Sequence, residues 1–181
     1  MADSNAALIA FIGVLAGGYV NNFLAEDYRR FRDGAALAGA LAGELASHMA
    51  AFPLLRDMLN GMITAAGQGQ RLRLRRFDPP NDPVYESNVG KLGLLPSKAA
   101  EDIAFAYQQI RAFRLNFAIV LSDHEQMNND EIKARLTGCL DAVNRGDLRL
   151  QELIADLKML AEQRYLDAMT RRLRPMFSPK G

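Results

Sequence analysis

The run AALIAFIGVLAGGYVNNFLA, residues 6–25, restricts the possible folds more than any other part of the chain. From Ala6 to Val20 it carries no charge and no strong polar group. At the helical rise, about 20 residues cover about 30 Å, the thickness of a bilayer's hydrocarbon core. The sequence therefore predicts a membrane-spanning N-terminal helix. The strictly apolar part is about 15 residues, which is short for a span. Asn21 and Asn22 must then lie at headgroup level or face another protein surface. An apolar helix buried in a soluble assembly is the alternative. A cleaved signal peptide fits less well, because MADSN has no Lys or Arg and no small-x-small cleavage site follows.

The flanks orient the segment. Only Asp3 is charged before it, whereas Tyr28-Arg29-Arg30-Phe31-Arg32 follows, and cytoplasmic flanks carry the excess of basic residues. The expectation is a single-pass protein of an inner (cytoplasmic) membrane with the bulk of the chain in the cytoplasm. Gly13 and Gly17, with Ala10 one turn earlier, form a small-residue face that lets two membrane helices approach closely. The partners expected on this basis are the membrane and other membrane-protein subunits, or a second copy through the N-terminal helix.

With residues 1–32 assigned to the anchor and its basic flank, residues 33–181 are enough for one helical domain with its own core. The net charge of +1 gives no global field toward nucleic acid, which is not expected as a partner. A single cysteine, Cys139, excludes an internal disulfide framework.

Asp33-Gly34 is a candidate break, after which residues 35–66 place Leu37, Leu41, Leu45, Met49, Phe52 and Leu55 at helical spacing. Pro53 is expected to kink or divide that helix. Residues 67–96 form an irregular connector containing Asp78-Pro79-Pro80-Asn81-Asp82-Pro83. Within it Gln70 to Phe77 alternates basic and apolar, as an edge strand, an extended arm or the last turn of the preceding helix. Arg71, Arg73, Arg75 and Arg76 make it the most basic patch of the chain, a candidate site for anionic lipid or simply a solvated connector.

Residues 84–96, VYESNVGKLGLLP, carry a tyrosine, an asparagine and a Leu-Gly-x-Leu-Pro element at Tyr85, Asn88, Leu92, Gly93, Leu95 and Pro96. In this the chain resembles a loose group of uncharacterised bacterial proteins with one N-terminal membrane helix and a helical body. The resemblance implies a membrane-anchored helical protein and carries no catalytic residue across. Physically, Leu92, Leu94 and Leu95 are expected to dock a short helical turn, Gly93 to permit a reversal, and Pro96 to start the next helix.

Residues 97–127 have a seam at Ile103, Ala106, Ile110, Phe113, Phe117 and Val120, continuing to His124. Ile110, Phe113 and Phe117 are expected to fill the centre of the bundle. Asn128 and Glu131 have capping-box spacing and predict the start of a final helix over residues 130–174. That helix should pass through Asn144-Arg145-Gly146-Asp147 and end in Arg171, Arg172 and Arg174. The fold class expected is all-α: a membrane-spanning helix, then a three-helix-type bundle with an irregular Pro-rich connector.

No chemistry stands out. His48 and His124 share no metal-ligand spacing with Cys139 or with carboxylates. Ser122-Asp123-His124-Glu125 has hydrolytic residue types, but neighbours on one helix point in different directions. No phosphate-binding glycine loop is present. The expectation is a non-enzymatic interaction protein with no catalytic residue, cofactor or metal.

Overall fold

In the computed structural model, which describes residues 2–75 and 80–170, every regular element is helical. The first, α1 (Ala2–Ala50), is one helix of 49 residues, about 73 Å long at the helical rise. It joins the predicted anchor to the first part of the body. The break expected at Asp33-Gly34 does not occur. Gly34 is buried inside the helix, and a Cβ there would stand 3.0 Å from the carbonyl oxygen of Leu94. The glycine serves a close backbone approach, not a turn, and marks where α1 enters the body.

The chain does break where Pro53 requires it. Proline lacks the N–H of the helical ladder and its ring collides with the carbonyl four residues back. Helix α2 (Phe52–Gly67) starts with this proline in its first turn, and the ladder resumes with the Leu55 amide donating to Ala51 at 3.0 Å. After α2, Gly69 takes φ 73°, the left-handed conformation that glycine adopts without strain. Residues 71–75 then form an arm without regular secondary structure, with Leu72 and Leu74 packed on the core and the arginines outward.

The connector is more helical than expected. Helix α3 (Pro83–Asn88) is followed by a 3₁₀ helix (Val89–Leu94), so the Leu-Gly-x-Leu-Pro element ends two consecutive helices. Leu95 is buried, and Leu92 and Leu94 are half-buried. Gly93 makes no reversal, since Gly69 is the positive-φ glycine among the described residues.

Helix α4 (Ser97–Asp123) follows Pro96, and α5 (Asn129–Glu162) starts where the cap predicts, the Asn128 Oδ1 accepting from the Glu131 amide at 2.8 Å. Only half of the capping box forms, because the Glu131 carboxylate pairs with Arg135 instead. α5 passes through residues 144–147 without interruption: Gly146 is buried, and Arg56 of α2 bonds Asn144 and Asp147 from outside. The helix does not reach residue 174. Gln163 is extended at ψ 136°, and a separate helical turn covers residues 165–170. Arg171, Arg172 and Arg174 lie outside the described residues.

α5 is the axis of the body, packing against α1, α2 and α4. Gly39 faces Ala161, Phe52 faces Gly146, and Gly69 faces Asn129, so α1 and α2 run end to end antiparallel to α5. α4 lies antiparallel on another face, with Phe105 under Arg149 and the Phe113 carbonyl beside Cys139. The core is aliphatic, centred on Leu41, Leu45, Leu59, Ile103, Leu136 and Leu157.

Candidate functional site

Two structural features are candidates for function, and they lie at opposite ends of the 16 body residues that α1 contributes after Gly34. The first is the free N-terminal stem. Phe11, Val14, Leu15, Tyr19, Val20 and Phe23 are all more than half exposed, Tyr19 at 76%. A Cβ on Gly13 or Gly17 would meet nothing within 4 Å, so the predicted packing face is bare in this single chain. Ala10 lies on the same helix. By length and composition the helical run Gly13–Gly67 is apolar enough to cross a membrane; the window that qualifies is 33% buried, and so lies in the body part of the run, whereas none of residues 13–30 is buried. At its base, the Tyr165 hydroxyl donates to Asp27 at 2.9 Å, and its ring meets Tyr28 and Phe31 edge-on.

The second feature forms where the far end of α1 meets α3 and α4. The carboxylate of Glu44 accepts from the Val84 amide at 2.8 Å, the Tyr85 amide at 3.0 Å and the Tyr107 hydroxyl. It thereby caps α3 with a side chain from α1, satisfying amides that a helix start leaves open. The Tyr85 ring stacks on Tyr107 at 3.8 Å between centroids. Asp82, 8% exposed, takes a bidentate pair from Arg114 of α4 at 2.6 and 2.9 Å. Its Oδ1 also lies 2.8 Å from His48 Nε2, at ion-pair distance but out of line for a hydrogen bond. Two acids and their partners thus clasp α1, α3 and α4 together. Burial, and then Glu44, push the Tyr107 hydroxyl far above its ordinary pKa, which keeps it a proton donor.

Beside this clasp lies a cavity of about 270 Å³ between α2, α4 and α5. Its wall is almost wholly apolar, with Phe52, Leu55, Ile110, Phe113, Phe117 and Leu150 as its large members. Ile110 and Phe113 were expected in the centre of the core and are instead half-buried, because they border this space. The space exists because the residues opposite them are small: Ala51, Ala142 and Gly146. Gln109, His48 and Arg114 are the polar side chains of its lining.

The basic patch stands apart from both features. Arg71, Arg73 and Arg75 are exposed on the arm after α2, and Arg76 lies outside the described residues. Gly69 abuts Asn129 at the start of α5, whereas Gly39 abuts Ala161 near its end. At 1.5 Å per residue these points are about 48 Å apart. Arginines so placed would meet a bilayer entered by the stem only if the body lay along its surface, since screening confines their attraction to about 10 Å.

None of the clasp residues was singled out from the sequence as functional. A signal was present: Glu44 and His48 sit one turn apart beside the Leu37, Leu41, Leu45 stripe, and Tyr107 and Arg114 are two turns apart on α4. The partners, on a Pro-rich segment about forty residues away, had no periodic pattern to reveal them. Among the described residues no group of His, Cys, Asp and Glu is arranged to hold a metal ion. No protein-family model, curated protein or solved structure matches the chain.

Proposed function

We propose that the protein is a non-enzymatic, membrane-anchored interaction protein, a subunit, scaffold or regulator of a membrane complex. The stem of α1 crosses the bilayer, and the helical body stands on the cytoplasmic side beside Arg29, Arg30 and Arg32. The carrying observation is the run of large apolar side chains from Phe11 to Phe23, left more than half exposed by the body. Fully burying such a side chain is worth about 1.5–3 kcal/mol, so six of them leave on the order of 5–10 kcal/mol for whatever covers the stem. A bilayer covers all sides of a helix at once, and the exposure here is distributed all round it. The continuity of α1 through Gly34 supports the same reading, because a rigid helix fixes the body at a set height above the membrane.

A second reading is favoured by Asn21 and Asn22, which lie within the apolar run. A soluble assembly that buries the stem in other helices satisfies these amides more easily than lipid does. Alkaline carbonate extraction of membranes from cells producing the full chain separates the two. Retention in the pellet, with release only by detergent, is the outcome expected for the anchor. A monodisperse oligomer released without detergent overturns it in favour of the soluble assembly.

A further inference from the structure

The cavity beside the clasp is independent of the stem and has the makings of a ligand site. Its volume of about 270 Å³ lies near the lower end of the range for small-molecule pockets. An apolar void of about 150 Å³ is known to stay dry and to accept benzene, so this one has room for a body of two fused rings. Water is a poor occupant, since Gln109, His48 and Arg114 are the few polar side chains in an otherwise apolar lining. Among the described residues no side chain fills the space.

The few polar groups define the chemistry further. Arg114 has five N–H donors, and its two bonds to Asp82 engage its terminal nitrogens; Gln109 and His48 line the same cavity. Arg114 can only donate, and the Gln109 amide and the His48 ring can each donate as well, so an acceptor suits all three. A full anion is disfavoured, because Asp82 already neutralises Arg114 and a carboxylate entering here would be desolvated without a cation of its own. A cation would be repelled by the Arg114 guanidinium.

We propose that this cavity binds an uncharged, compact apolar molecule bearing one oxygen acceptor, of the class of aryl ketones and esters, with the oxygen toward Gln109 and Arg114. The ring system lies between Phe113 and Phe117 of α4 and Val143 and Leu150 of α5. Ala118 is at the mouth and exposed, so a larger side chain there narrows entry without entering the core.

The test uses the full chain in detergent, labelled at Ile, Leu and Val methyls, and titrated with 2-acetylnaphthalene. Saturable shifts are expected at Ile110, Val143 and Leu150. Ala118→Phe, and separately Ala142→Leu, should weaken binding tenfold or more while helicity is retained. Naphthalene should bind several-fold more weakly than the ketone, and 2-naphthoate at least tenfold more weakly. Shifts confined to stem methyls such as Val14 and Leu15 would mean partition into the micelle and would overturn the proposal. So would an affinity unchanged in Ala118→Phe and in any Ala142→Leu protein that folds. Naphthoate binding as tightly as the ketone overturns the assignment of an uncharged ligand.

Discussion

Phe117→Ala is the sharpest probe of the packing. The residue is 3% exposed, and its ring stacks on Phe113 with centroids 5.7 Å apart and planes 11° from parallel. Removing a buried phenylalanine costs about 3–5 kcal/mol, part of it for the hole left behind. The aromatic pair adds about 0.5–1.5 kcal/mol beyond buried area. Neighbours usually recover some of the loss by collapsing inward, but Ile110 and Phe113 here already border the cavity and have little to lean on. The loss should therefore fall in the upper half of the range, about 4–5 kcal/mol. For a chain of this size each kcal/mol shifts the midpoint by about 2–4 °C, so Tm should drop by roughly 8–20 °C. Leu115 is the internal control, two residues away on α4 and 64% exposed. Leu115→Ala should change stability by about 0.5 kcal/mol or less. Melting of both variants and the parent, followed by circular dichroism at 222 nm in one detergent, measures the difference. If the two variants melt within about 2 °C of one another, the placement of Phe117 between α4 and α5 is wrong.

Glu44→Ala removes the acceptor of two α3 amides and the Tyr107 hydroxyl, and should cost about 1–3 kcal/mol. Hydrogen exchange at Val84 and Tyr85 should accelerate with it, and unchanged protection there would refute the cap. Burial raises the Cys139 thiol from 9.0 to about 11, so iodoacetamide at pH 8 should leave it unmodified until the chain unfolds. The unfolded thiol ionises first as pH rises, so this group's stabilisation is complete below pH 9 and lost toward pH 11. Cys139→Ala should flatten that decline, and an equally steep fall in the variant would assign it elsewhere. Gly146→Ala should stabilise α5 by about 0.5–1 kcal/mol. Its Cβ would meet Leu150 at 3.6 Å and Phe52 at 3.7 Å, ordinary contact distances, so a lower urea midpoint would contradict the geometry.

What residues determine locally was readable in the sequence. Pro53 divides a helix because of its own ring and missing N–H, and Asn128 starts one because its side chain reaches the Glu131 amide. The alternation from Arg71 to Arg75 puts leucines inward and arginines outward, and the apolar run at residues 6–25 is helical, with its described side chains from Phe11 onward outside the core. Tertiary structure decided what faces what. Gly34 looks like a breaker until Leu94 arrives against it, and then its lack of a side chain is what permits the contact. Glu44 and Asp82 look like solvated acids until α3 and Arg114 fold onto them, because their partners are 40 to 63 and 32 to 34 residues away. Periodicity identifies Ile110 and Phe113 as apolar-face residues, but it carries no information on the opposing side. Whether such a face closes into core or stops at a cavity depends on side-chain volumes across the interface, here Ala142 and Gly146, and those volumes meet only in the folded chain.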